Sequence, residues 1–197
     1  MANSVKITRR AFGALGIAFA AAPALAVNAN DASALVTRAV ADVQSAIGSG
    51  KTGNALFREF RKIFDNYADV PLVAAGSLGV AWRSASDSQK SRYIAAFREY
   101  LAKKYGRRFN EFSGSEFDVK GTSKTKRGFS VTTDVSLASG STLEVDWQVR
   151  DVKGSPLIFD IVIEGISMLV TERGEIGAML DARGNDLDRL IRDLPNV

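Results

Sequence analysis

The polar and apolar positions change period once along the chain. From residue 31 to about 112 apolar residues recur every three or four positions, as one face of a helix requires. Leu35, Val36, Ala39, Val40, Val43 and Ile47 predict a helix over Asp31–Ile47. Gly48–Asn54 breaks it, and Phe57, Phe60, Ile63 and Phe64 mark a second helix over about Ala55–Asn66. Asp69 and Pro71 then open a third, in which Leu72, Val73, Ala74, Ala75, Leu78 and Val80 are aliphatic on all sides. A helix without a polar face is either deeply buried or lines a cavity. Ser86 and Gln89 have the spacing of a reciprocal capping box. They start a long helix from Asp87 to about Phe112, with Tyr93, Ile94, Phe97, Leu101, Tyr105 and Phe109 on its apolar side. After Gly114 the period becomes two. Four segments alternate, carrying Phe117/Val119, Phe129/Val131/Thr133/Val135, Leu143/Val145/Trp147/Val149 and Leu157/Phe159/Ile161/Ile163. Their opposite positions hold Asp134, Glu144, Asp146, Asp160 and Glu164, the pattern of an antiparallel sheet with one apolar and one polar face. Two helical segments close the chain, about Ser167–Arg183 and Asn185–Leu194. The predicted fold is α+β: a four-stranded antiparallel curved sheet with helices packed on one face.

The first 26 residues follow a different rule. Arg9-Arg10 precede Phe12, a mildly apolar run follows, and Ala24-Leu25-Ala26 ends it. A basic start, an apolar middle and a small-x-small ending predict a cleaved signal peptide. The arginine pair resembles a twin-arginine export signal. Cleavage is expected after Ala26, leaving one domain over 27–197 (helical to about 112, sheet about 115–165, helices 167–195) in the periplasm. The apolar run is shorter than the ~20 residues that span a bilayer.

Charge and composition narrow the chemistry. The formal net charge is +4. Lys6, Arg9 and Arg10 fall in the leader, which holds no acid, so the remainder has one more base than acid. That balance gives no nucleic-acid footprint. There is no cysteine and no histidine, which excludes disulfides, thiolate chemistry and imidazole general bases. "SGKT" (Ser49–Thr52) lacks the first glycine of a phosphate-binding loop and follows a helix, not a strand. No metal site and no cofactor is implied. Lys90, Arg92, Arg98, Lys103, Lys104, Arg107 and Arg108 form the polar side of the long helix, read as a solvated face or a surface for anionic groups.

Three stretches carry a family resemblance. They are Leu78–Gly106 with "AAFREYL", Ser141–Asp151 with "STLEVDWQVRD", and Phe159–Leu194 opening with "FDIVIEGISM". Together they resemble the MlaC family of periplasmic phospholipid-shuttle proteins, also called the toluene-tolerance family. The resemblance runs through the mature chain in one order. It implies a carrier that is not an enzyme, holding phospholipid acyl chains in an enclosed apolar cavity. It implies traffic between an outer-membrane lipoprotein complex and the lipid-channel ring of an inner-membrane ABC transporter, which maintains outer-membrane lipid asymmetry. A monomer is expected.

On this reading the apolar positions become candidate lipid contacts: Leu72, Val73 and Leu78 on the aliphatic helix, and Tyr93, Phe97 and Leu101 on the long helix. The sheet adds Val145, Trp147, Phe159, Ile161 and Ile163, and the last segment adds Ile166, Met168 and Met179. Each would be ordinary core in a protein with a solid interior. A periplasmic interaction module with such an interior is therefore one alternative. A ketosteroid-isomerase-like enzyme using Asp146, Asp160, Glu164 and Tyr93 is another. Parity places those carboxylates on the polar face, without the desolvation that tunes an acid for catalysis.

Overall fold

The computed structural model describes residues 26–108 and 112–197. Residues 1–25 of the expected leader and Phe109 lie outside the described residues. Helix α1 (Ala29–Gly48) starts two residues before its predicted bound because Asn28 and Asp31 form a reciprocal cap. The Asn28 side chain accepts the Asn30 and Asp31 amides at 2.8 and 3.1 Å, and Asp31 accepts the Asn28 amide at 3.0 Å. Helix α2 (Gly53–Tyr67) buries Leu56 and Phe60 against Ala46 of α1.

The expected third helix is divided. Helix α3 (Val70–Leu78) begins where Asp69 accepts the Leu72 amide at 3.1 Å. It ends at Gly79, whose φ of 62° interrupts the helical path, and Val80 opens a short α4 (Val80–Ser84). Helix α5 (Asp87–Arg108) has the predicted start: Ser86 Oγ accepts the Gln89 amide at 3.2 Å and Gln89 accepts the Ser86 amide at 3.0 Å.

The sheet contains β1 (Glu116–Thr125), β2 (Gly128–Ser136), β3 (Thr142–Val152), β4 (Ser155–Ile163) and β5 (Ile166–Ser167), antiparallel and in chain order. Among the described residues it has five strands, not four. Glu164 and Gly165 both have positive φ, 50° and 77°, which closes a two-residue hairpin and pairs Ile163 with Ile166 and Val162 with Ser167. The apolar run after Gly165 reads as the onset of a helix, and it conceals this short strand. Helices α6 (Met168–Asp181) and α7 (Leu187–Asp193) follow, then a 3₁₀ turn at Leu194–Asn196.

Val145 pairs with Ile163 and Trp147 with Ile161, so the predicted inner face holds in that half of the sheet. It fails lower in β4. A bulge leaves Phe159 as an extra residue between Asp160, opposite Gln148, and Ile158, opposite Val149. The phase therefore shifts, and Ile158 replaces Leu157 on the inner face. Helix α1 crosses that face and buries Leu35, Val36, Ala39 and Val40 against Val131, Val149 and Ile158. A second core is wholly helical and joins α3, α5, α6 and α7 through Leu78, Tyr93, Phe97, Ile176 and Leu190. The free edge of β4 is covered at both ends. Asp69 donates its amide to the Ile158 carbonyl at 2.8 Å, and β5 pairs with the other end.

Candidate functional site

The fourteen sequence candidates fall into distinct environments. Leu78, Tyr93, Phe97 and Leu101 are buried in the helical core, with Val73 and Met179 packed against it. The Tyr93 and Phe97 rings stack at 5.6 Å, and Trp82 meets Tyr93 edge-on at 6.5 Å. The Tyr93 hydroxyl lies 2.9 Å from Ser77 Oγ, which donates to or accepts from it. Burial pushes that phenol well above its ordinary pKa. Trp147 and Ile161 pack against the core formed by α1 and the sheet. Trp147 Nε1 donates to Thr133 Oγ1 at 3.0 Å, which satisfies both groups on the inner face.

Leu72, Val145, Ile163, Ile166 and Met168 belong to neither core. Val145 is buried, Leu72, Ile163 and Met168 are half-buried, and Ile166 is 61% exposed. Helices α3 and α6 lie side by side here. Leu169 occupies the space above Gly76, where a Cβ would stand 3.0 Å from its Cδ1, and Arg173 lies equally close to Gly79. Val80 and Val170, 73% and 68% exposed, flank this seam. Leu72 on α3, Ile163 and Ile166 on the β4–β5 hairpin and Met168 at the start of α6 are thus the candidates that keep contact with solvent outside the two cores. Phe159 is buried apart from them, with the Arg127 guanidinium 4.3 Å from its ring centroid.

The expected enclosed apolar cavity is not present among the described residues. The aromatic stack of α5 and the side chains of Ile176 and Leu180 fill the helical interior. Two open concavities lie elsewhere. One, of about 530 Å³, runs between α2, α5 and α7, and another, of about 480 Å³, lies beside the β1–β2 turn. No candidate residue lines either.

Two polar arrangements escaped the sequence reading. Asp160, assigned only to the outer face, accepts the Ser167 hydroxyl at 2.6 Å and the Leu169 amide at 2.9 Å, and so holds the start of α6. Glu172 is 2% exposed. Its Oε1 accepts from Lys104 Nζ at 2.6 Å and from the Tyr105 hydroxyl at 2.7 Å, while Oε2 has no partner among the described residues. Lys104 also reaches Glu175 at 2.6 Å. Burial opposes ionisation of Glu175, but its bonds from Lys104 and Tyr100 outweigh this and hold the carboxyl below its usual range. Burial and then the charges of Glu172 and Glu175 push the Tyr100 and Tyr105 phenols upward. The available signal was spacing: Glu172 precedes Ile176 by four residues and so shares its buried face.

The basic side of α5 is largely consumed within the fold. Arg92 pairs with Asp188 at 2.6 Å and Arg98 with Asp65 at 2.7 Å, and Lys104 turns inward. Arg107 donates to the Val197 carbonyl at 2.8 Å, and Lys103 to that of Pro195. The carboxylates considered for catalysis are engaged as well. Asp146 accepts from Thr132 at 2.5 Å and Glu164 accepts the Glu144 amide at 2.6 Å.

A family model described as MlaC protein matches residues 34–196. The chain belongs to the MlaC family. A solved structure described as the phospholipid-binding protein from Ralstonia solanacearum, in complex with a phospholipid, superimposes with a TM-score of 0.68. The superposition covers 84% of this chain and 96% of that one at 20% sequence identity, a likeness of fold. This MlaC chain has no helix, among the described residues, long and apolar enough to cross a membrane.

Proposed function

We propose that this chain is a periplasmic phospholipid carrier. Its lipid would enter where α3, the β4–β5 hairpin and α6 meet. Membership in the MlaC family carries the reading, and the phospholipid complex of a protein with the same fold supports it. The aliphatic group of Leu72, Ile163, Ile166 and Met168 supplies the place: it belongs to neither packed core and reaches solvent. Acyl chains would be accommodated as the α3–α6 pair separates from β4, a movement that leaves the aromatic stack of α5 intact.

The energetics favour a carrier that works by docking. Two acyl chains bring about 30 methylenes at ~0.8 kcal/mol each, or about 24 kcal/mol. That exceeds the ceiling of roughly 18–21 kcal/mol for non-covalent binding. A bilayer offers nearly the same burial, so transfer between carrier and membrane is close to balance while release into water is negligible. Loading and unloading then need partners, here an outer-membrane lipoprotein complex and the lipid-channel ring of an inner-membrane ABC transporter. Transfer itself needs no catalytic group.

The Val27 amide lies 3.1 Å from Asp151 Oδ2. Cleavage after Ala26 would place a new ammonium on that carboxylate at the start of a domain spanning 27–197.

Photo-crosslinking tests the site. A phospholipid with a photoreactive acyl chain should label peptides from α3, β4 and α6. Labelling confined to the α2–α5–α7 groove, or no labelling from donor vesicles, would overturn it.

A further inference from the structure

The sheet is divided by charge along its strands. Antiparallel pairing in chain order puts the β1–β2 and β3–β4 turns at one end, and the β2–β3 and β4–β5 turns at the other. The second end carries Glu116, Asp134, Glu144 and Glu164, of which Asp134 is paired with Lys120 at 3.3 Å. The first carries Lys124, Lys126, Arg127, Arg150 and Lys153, with Asp151 as the acid among them. Arg150 is paired with Asp69 at 3.4 Å. Asp151 is turned into backbone, accepting the Gly154 amide at 2.6 Å and the Val27 amide at 3.1 Å. Lys124, Lys126, Arg127 and Lys153 are exposed and have no ion pair among the described residues. Lys153 and Gly154 both have positive φ, 55° and 86°, so a tight hairpin fixes the lysine at its tip. Two such hairpins side by side place their tips about 10 Å apart, two strand spacings. Cations that close repel one another across about one Debye length unless something anionic faces them.

We propose that this end of the sheet is an adsorption surface for an anionic bilayer. A protein partner would need an apolar anchor among the charges, since lysine is depleted from the centres of protein interfaces. The large exposed aliphatics lie elsewhere, with Ile166 at the opposite, acidic end. Exposed lysines at and beside the hairpin tips match the diffuse charge of headgroups, and the acidic end orients the molecule by repulsion. In that orientation the β4–β5 hairpin faces away from the bilayer. Adsorption would hold the protein at the membrane without inserting the aliphatic residues of the candidate site.

Sedimentation with sucrose-loaded vesicles tests this, using phosphatidylethanolamine alone or mixed with phosphatidylglycerol. The protein is expected to pellet with the mixed vesicles at low salt, and to stay in solution at high salt or with phosphatidylethanolamine alone. Each lysine lost should lower partitioning about fivefold, so Lys124→Gln/Lys126→Gln/Lys153→Gln should lower it about a hundredfold. Glu116→Gln/Glu144→Gln should not lower it. Failure to pellet with the mixed vesicles at low salt, as an acidic protein partner would predict, overturns the proposal. So does a correctly folded triple variant that pellets like the parent. Bound phospholipid per chain, measured on the same triple variant, should be unchanged; its loss would bear on the carrier reading instead.

Discussion

Asp160 accepts the backbone amide of Leu169 at 2.9 Å, which ties the first turn of α6 to β4. The same carboxylate takes the Ser167 hydroxyl, and Ser167 Oγ accepts the Val170 amide at 3.1 Å. Together these bonds set Leu169 over Gly76 and close the seam between α3 and α6. Asp160→Ala should lower stability by about 1 kcal/mol, the worth of a helix cap. It should also speed amide exchange at 168–171 relative to α5. Unchanged protection in that turn would show that packing alone holds the seam.

The Lys104–Glu172 pair should behave as a unit. Its side chains are 18% and 3% exposed. Removing one partner of a buried pair leaves an uncompensated charge and typically costs about 3–5 kcal/mol. Lys104→Met should fall in that range by urea unfolding, and Lys104→Met/Glu172→Leu should recover most of the loss. Losses that simply add would contradict the coupling.

All four tyrosines have phenols held above their ordinary pKa. Burial is the main cause at Tyr93, Tyr100 and Tyr105, and the bond to Asp42 is the main cause at Tyr67. A raised folded pKa means that the unfolded chain loses these protons first as pH rises. Their contribution to stability is therefore complete below the unfolded value of about 10 and declines above it. Tyrosinate absorbance at pH 10 should be weak in the folded protein and appear on unfolding. A normal tyrosinate titration without unfolding would contradict the burial.

Much of this architecture was legible in the chain. Ser86 and Gln89 announced α5, and the alternation of Val145 and Trp147 fixed the inner face of β3, because both signals are local. The break at Gly79, the bulge at Phe159 and the two residues of β5 were not legible. Each depends on what the segment packs against, and a one-residue shift leaves composition unchanged. For the candidate region, hydrophobicity marked Tyr93, Phe97, Ile163 and Ile166 alike. Only tertiary packing separates the first two, in a filled core, from the last two, outside it.

That separation makes Ile163 and Phe97 a contrasting pair. Phe97→Ala should cost about 3–5 kcal/mol as a core truncation. Ile163→Trp adds bulk at a half-buried position outside both cores. In delipidated protein it should cost less than the ~1–3 kcal/mol typical of overpacking. It should also reduce bound phospholipid. The comparison needs delipidated protein because a bound ligand raises apparent stability by mass action. Full lipid load in an otherwise destabilised Ile163→Trp protein would make this residue core.

Native mass spectrometry of the protein purified from cells without detergent tests lipid carriage most directly. The account predicts a phospholipid bound at close to one per chain. A folded protein that is lipid-free, and that takes up none from vesicles even with its membrane partners present, would contradict it.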